Sequence, residues 1–178
     1  VFKSDEDQFA IVIPQGMDDV DLTRGDIDQI LNQLEANNPS FASVGPQVRS
    51  VLASGGKLFA IDSSTAATTG FADNVNLIAV AGESDVTNPS VESQIRTQLE
   101  GIPANDLVFN SGDVNGRPVL SASYTATVNG ADGQPRTVFG RQAYFSADGK
   151  TWVLTYTTGA EDTSDTLGTM VQSFTVND

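Results

Sequence analysis

Five aspartates, Asp18, Asp19, Asp21, Asp26 and Asp28, form the densest run of chemically capable side chains in the sequence. Carboxylates at this density offer a cation site or a docking surface for a basic partner. Calcium needs six to eight oxygens from a preorganised loop. The run lacks the alternating Asp/Asn, central Gly and closing Glu of an EF-hand loop. Asp at a helix start also complements the helix dipole, so the plain reading of most of these acids is a solvated face. The remaining inventory is narrower still. The chain contains no histidine and no cysteine. That removes the commonest proton shuttles, thiol nucleophiles and transition-metal ligands. Binding is favoured over catalysis, no cofactor is expected, and no catalytic or metal-ligating set is assigned.

Each other candidate has a structural reading beside its chemical one. Asp113, Asn115, Asn129, Asp132 and Asp148 sit in hairpin turns, where these residue types are favoured for backbone reasons. Asp62, Glu83 and Asp85 lie near strand ends. Two of them converging on a cleft would give the paired carboxylates of a glycosidase. Ser63, Ser64, Thr65, Thr68 and Thr69 form a hydroxyl-rich loop. A serine nucleophile there would need Lys57 or Lys150 as its base, without any Ser-x-x-Lys spacing. Arg117, Arg136 and Arg141 fall on neighbouring strands and would make a small basic patch if they shared a face, paired internally or holding an anion. Phe41, Phe71, Phe109, Phe139, Tyr124, Tyr144, Trp152 and Tyr156 have the spacing of core residues and also the makings of a pocket lining.

The balance of 23 acids against 9 bases, net -14, argues against nucleic acid and against anionic membrane surfaces. Basic partners and cations remain open. No apolar run is long enough to span a bilayer. The absence of cysteine rules out disulfides. The polar segment 1–8 is not a signal peptide.

The elements that must position these residues read as α+β. Phe9 to Ile13 is a short strand stopped by Pro14-Gln15-Gly16, and Met17 to Asp21 reads as an acidic connection. Thr23 and Asp26 have capping-box spacing ahead of a helix with Ile27, Ile30, Leu31 and Leu34 on one face. A second helix is expected over 40–54 with Phe41, Val44, Val48, Val51 and Leu52 inward. Pro46 either opens it late or kinks it. Strands follow at 57–62 and 75–80, around a loop over 63–74. Asn88-Pro89 starts a third helix with Val91, Ile95 and Leu99. Four strand runs are then joined through Asn115-Gly116, Asn129-Gly130 with Asp132-Gly133, and Asp148-Gly149, which tolerate the positive φ of tight hairpins. In 117–128, Leu120, Ala122, Tyr124, Ala126 and Val128 alternate with Val119, Ser121, Ser123, Thr125 and Thr127, giving one apolar and one hydroxylated face. A last helix, capped by Asp162, Thr163 or Ser164, carries Leu167, Met170, Val171 and Phe174. It is expected, with the earlier helices, to cover the apolar side of the meander. A single domain, 1–178, is expected.

Several strings resemble PsbP-like proteins. Phe9-Ala10-Ile11-Val12-Ile13-Pro14-Gln15-Gly16 is similar to the family's opening, with Met17 where an aromatic is common. The hairpin Tyr144 to Tyr156, followed by a helix ending Met170-Val171-Gln172-Ser173-Phe174, is similar to its close. The helices over 24–54 and the strand Lys57 to Asp62 look nearest to actinobacterial LpqN-type lipoproteins. The resemblance implies an α/β/α sandwich with a central antiparallel sheet. It also implies an exported accessory or partner-binding protein of the cell envelope without catalysis, anchored through residues upstream of Val1, with no catalytic set to carry over. A small-molecule or cation carrier is the alternative, and a hydrolase using paired carboxylates a third.

Overall fold

The computed structural model describes residues 1–25, 27–37, 45–101, 104–130 and 133–176. The strands are β1 (Phe2–Ser4), β2 (Phe9–Ile11), β3 (Asp18–Asp21), β4 (Gly56–Asp62), β5 (Asp73–Ala81), β6 (Ala104–Val114), β7 (Arg117–Asn129), β8 (Pro135–Ala147), β9 (Lys150–Thr158) and β10 (Thr175–Val176). The helices are α1 (Ile27–Asn37), α2 (Gly45–Ala53), α3 (Ala66–Thr69), α4 (Pro89–Glu100) and α5 (Thr166–Ser173). Seven strands form one antiparallel sheet in the order β3-β4-β5-β9-β8-β7-β6, and β1-β2-β10 form a small second sheet.

The long meander follows from its turn residues. Asn115 and Gly116 have φ of 55° and 77°, and Asp148 and Gly149 have 51° and 68°. Positive φ at both central positions matches the right-handed twist of the flanking strands. The helix starts follow from capping. Asn88 accepts from the Ser90 amide at 2.9 Å, with Pro89 in the first turn of α4. Pro46 is the second described residue of α2 (Gly45–Ala53), and residues 38–44 ahead of it lie outside the described residues. Phe41 and Val44 lie outside the described residues.

Alternation along the strands sorts two apolar faces. On one face, Leu58, Leu77, Phe145, Trp152 and Leu154 pack under Leu167, Met170 and Val171 of α5 and under Phe2, Phe9 and Ile11 of the small sheet. On the other, Phe59 and Ile61 meet Ile27, Leu31, Val48 and Val51 of α1 and α2. Leu120, Ala122 and Tyr144 meet Ile95 and Leu99 of α4. The result is an α+β sandwich around a central antiparallel sheet.

Several expectations need correction. The segment 1–8, to which no element was assigned, contains a strand, because Phe2 and Ser4 are buried by pairing with β2. The strand expected over 9–13 ends at Ile11 and belongs to the small sheet. The acidic connection is a strand, β3, hydrogen-bonded along β4. The Thr23 hydroxyl and amide both donate to Asp21 Oδ1, at 2.6 and 2.9 Å, and its expected capping partner Asp26 lies outside the described residues. The cap of α5 is Asp165, which accepts from the Gly168 amide at 3.2 Å. Finally, α4 covers the apolar face of β7, and α5 lies on the opposite side. That is possible because β8 is apolar on both faces, at Phe145 and at Tyr144.

One ionic knot ties the two sheets together. Asp7, in the turn between β1 and β2, accepts from Lys57 Nζ at 2.8 Å and Lys150 Nζ at 3.3 Å.

Candidate functional site

The acidic run does not converge. Asp19 and Asp21 stand opposite Ala60 and Leu58 on β4, whereas Asp18 stands opposite Ile61. Successive side chains on a strand point to opposite faces, so Asp18 is separated from the other two by the sheet. Asp18 and Asp19 are exposed. Asp21 is half-buried and occupied by Thr23. Asp28 is exposed in the first turn of α1 and pairs with Arg49 at 3.2 Å. Asp26 lies outside the described residues. Among the described residues, no group of three or more His, Cys, Asp or Glu is placed to hold a metal ion. Charges on a short edge strand block pairing with another sheet, which gives Asp18, Asp19 and Asp21 a structural role.

The basic patch does not assemble. Arg117 stacks over the rings of Phe145 and Phe174, at 5.2 and 5.4 Å. Arg141 pairs with Ser123, six residues further along β7, roughly 20 Å from Arg117. It donates to the Ser164 carbonyl at 3.2 Å and the Asp162 carbonyl at 2.5 Å, and pairs with the Asp162 carboxylate at 3.5 Å. Arg136 is odd by one position on β8 and belongs to the opposite face. The hydroxyl loop is equally committed. Thr65 Oγ1 donates to the Asp62 carbonyl and accepts from the Asp73 amide, both at 2.9 Å, and Thr69 Oγ1 donates to the Phe71 carbonyl at 2.8 Å. Lys57 and Lys150 both hold Asp7, in the turn between β1 and β2. The turn acids serve backbone: Asp113 accepts from the Gly116 amide at 2.7 Å. Asp132 lies outside the described residues. Trp152, Tyr144 and Tyr156 are buried core residues.

One pair of carboxylates does meet. Asp62 closes β4 and Asp73 opens β5, directly opposite each other. Sequence gave no sign of it, because Asp73 precedes the apolar run and the pairing depends on register. Burial pushes the Asp73 carboxyl up, the Gly159 amide lowers it, and the charges of Asp62 and Asp162 raise it further. Burial also raises Asp162, yet the Ser164 hydroxyl and amide, Thr166 and Arg141 hold it below the ordinary value. The Tyr156 phenol is pushed up to about 12 by burial and by Asp73 and Asp162. Asp62 Oδ1 is taken by the Ser64 amide and hydroxyl, at 2.9 and 2.6 Å, and Asp73 Oδ1 by the Gly159 amide at 2.9 Å. The pair therefore closes a loop, and neither acid lines the clefts described below.

A prediction follows from the raised Asp73. The folded chain holds this proton more tightly than the unfolded chain, so stability falls as pH rises above the ordinary value of 3.8. Asp73→Asn keeps an oxygen for Gly159 and removes the charge. The variant melts at a higher temperature than wild type at neutral pH, and its advantage vanishes as pH drops below 3.8. Melting curves across pH check this. An advantage that persists unchanged in acid contradicts the electrostatic account.

The principal cleft lies on the hydroxylated face of β7, beside α5. It encloses about 410 Å³. Small side chains make its floor: Asn110 and Gly112 on β6, Ser121 and Ser123 on β7, Ala143 on β8. Leu167, Gly168 and Val171 of α5 form an apolar wall, and Arg141 and Asp165 close one end. Ser121 donates its hydroxyl to the Asn110 carbonyl at 3.1 Å. A second cleft of about 290 Å³ lies between Val12, Ile13 and Pro14 and the α5 residues Thr166, Thr169 and Met170, with Asp165 bordering both. The volume of the first suits a small molecule or a few side chains. Ser121 is already a donor to backbone, and the guanidinium of Arg141 is held by the 162–164 segment. The alternation of Ser121 and Ser123 was the sequence signal for this face.

The layer order and strand order have counterparts among solved structures. The chain is similar to cyanobacterial PsbP (CyanoP) from Synechocystis sp. PCC 6803, with a TM-score of 0.54 and 17% identity over 98% of this chain and 90% of that one. The fold is PsbP-like. LpqN of Mycobacterium tuberculosis, described as involved in cell envelope biogenesis, is similar with a TM-score of 0.50 and 13% identity over 96% of this chain and 83% of that one. A Bacteroides thetaiotaomicron VPI-5482 structure has a TM-score of 0.53 and 8% identity, over 99% of this chain and 48% of that one. No family model matches the chain, and no curated protein is similar to it in sequence. At these identities the likeness concerns the PsbP-like backbone frame. The serines, Arg141 and Asp165 of the cleft are read from this chain alone.

Proposed function

We propose that this chain is an exported, non-catalytic accessory protein of the cell envelope, held there as a lipoprotein, that acts by binding a partner protein of basic character. The observation that carries this reading is the PsbP-like frame, shared over almost the whole chain with LpqN, whose description places it in cell envelope biogenesis. Two further features support it. In the principal cleft Ser121 is engaged by the Asn110 carbonyl and Arg141 by the 162–164 segment, and the net charge of -14 favours basic surfaces over nucleic acid or anionic lipid. No helix among the described residues is long and apolar enough to cross a membrane.

The test uses the full-length gene product in its own cells. A phosphatase reporter that matures only outside the cytoplasm is fused to it, and lipid attachment is read by labelling with an azido fatty acid. Reporter activity with label incorporation is the expected result. A reporter that stays inactive overturns the exported reading, and activity without label overturns the lipoprotein alone. The cleft of about 410 Å³ also favours a second reading, a small-molecule carrier. A saturable rise in melting temperature with a metabolite-sized ligand would identify it, following RT ln(1 + [L]/Kd).

A further inference from the structure

We infer that the outer edge of β6 is an acceptor for an extended, basic segment of the partner, which adds there as an eighth strand. This rests on the partner-binding reading above and names the surface that performs it.

The two ends of the large sheet are built differently. The β3 end is four residues long and carries three aspartates spread over both faces, which protects it against strand addition. The β6 end is protected only over its first part. It is eleven residues long, contains no lysine, arginine or proline, and no strand among the described residues pairs with its outer side. A bulge between Asn105 and Val108, with Asp106 at φ 54°, breaks its first part. From Val108 to Val114 the register against β7 is unbroken, from Ser123 back to Arg117. That leaves a free edge of roughly 20 Å, the length of an ordinary strand. Val108 is 51% exposed there, and residues 110–113 are exposed as well.

The principal cleft begins at this edge. Asn110 and Gly112 of β6 form its near floor, and small side chains on β7 and β8 continue it as far as the α5 wall. A strand added beside β6 would place alternate side chains along the rim, and long ones could lean over Gly112 and Ser121. Strand addition commonly works this way: main-chain bonds supply affinity and a neighbouring pocket selects side chains.

Charge selects the occupant. Asp106 and Asp113 lie on β6, and Asp165 lies on the cleft. The cations nearby are engaged within the fold. Arg96 pairs with Glu92 at 3.1 Å and stacks on Phe109, Arg117 stacks on Phe145 and Phe174, and Arg141 is held by Asp162. With a net charge of -14 behind it, this edge attracts a segment alternating apolar and basic residues. A second copy of the chain would bring the same acids to the same edge, and like charges across strands repel.

The test uses isotope-labelled protein and a capped peptide alternating valine and lysine, beside its counterpart with glutamate for lysine. Amide hydrogen exchange is read by NMR. The lysine peptide should slow exchange at alternate amides within 108–114 by at least tenfold, leave β3 unchanged, and lose out to the glutamate peptide nowhere. Protection at β3, uniform slowing, or no saturable effect overturns the inference. Ser111→Pro and Gly112→Pro provide the control, because successive amides point to opposite edges. The variant with an unchanged melting temperature has lost an outward amide, and it should no longer bind the peptide; continued binding overturns the inference. A photocrosslinker at Ser111 or at Asp19, in the full-length protein in cells, separates the two levels of the reading. Capture at Asp19 alone leaves partner binding in place and removes β6 from it, while capture at neither removes both.

Discussion

Phe174→Ala should lower the stability of this protein by about 3–5 kcal/mol, the cost of emptying a large aromatic site in a close-packed core. Phe174 lies at the end of α5, with its ring 5.0 Å from Phe145, 4.9 Å from Trp152 and 5.8 Å from Phe9. It therefore touches the main sheet and the small sheet at once. The Arg117 guanidinium sits 5.4 Å from the same ring and adds a cation–π contact. Removing the ring opens a cavity that neither sheet can close without moving the other. Trp152 is the only tryptophan and is fully buried, so its fluorescence reports the transition in a denaturant titration. Phe174→Leu, which keeps most of the volume, should recover most of the loss, to within about 1.5 kcal/mol of wild type. A Phe174→Ala loss under about 1 kcal/mol would show that the site collapses freely and that the cluster does not join the sheets.

The second large effect is at Gly140. This residue stands directly opposite Tyr124 in the β7–β8 register. A methyl group placed on it would overlap the Tyr124 ring and lie 2.7 Å from the phenol oxygen. The ring lies across the glycine and packs into the cluster beneath α4, where burial raises the phenol above its ordinary value. Gly140→Ala must push the ring out of that cluster, at a cost of about 2–3 kcal/mol. In a Tyr124→Ala background the same methyl should cost almost nothing. The double-mutant cycle measures this coupling directly. Additive effects of the two changes would mean that the backbone at Gly140, rather than the ring, sets the penalty.

Much of the frame was legible where the signal is local. Asn115-Gly116 and Asp148-Gly149 require the positive φ values that the hairpins use, and Asn88-Pro89 starts α4 through a cap that spans two residues. The hydroxyl alternation of Ser121 and Ser123 marked the open face of β7. The misses share a non-local cause. An aspartate-rich segment has poor strand propensity. Asp18 to Asp21 is nevertheless a strand because the free edge of β4 supplies hydrogen-bond partners that no window of sequence contains. Phe2 and Ser4 are buried only because β2 lies beside them. The meeting of Asp62 with Asp73 needs the register of β4 against β5. The cleft depended on which side of the sheet α5 chose, and β8 is apolar on both sides.

The small sheet has a consequence for the order in which the molecule is completed. β2 is flanked by β1 and by β10, with Val176 opposite Phe9 and Thr175 opposite Ala10. A chain emerging from the ribosome can form the hairpins β6–β7 and β8–β9 as soon as each pair is made. The aromatic cluster must wait, because Phe9 cannot meet Phe174 until α5 has been synthesised. Until then, Phe9, Phe145 and Trp152 lack their common neighbour. The apolar face they share is the last to close.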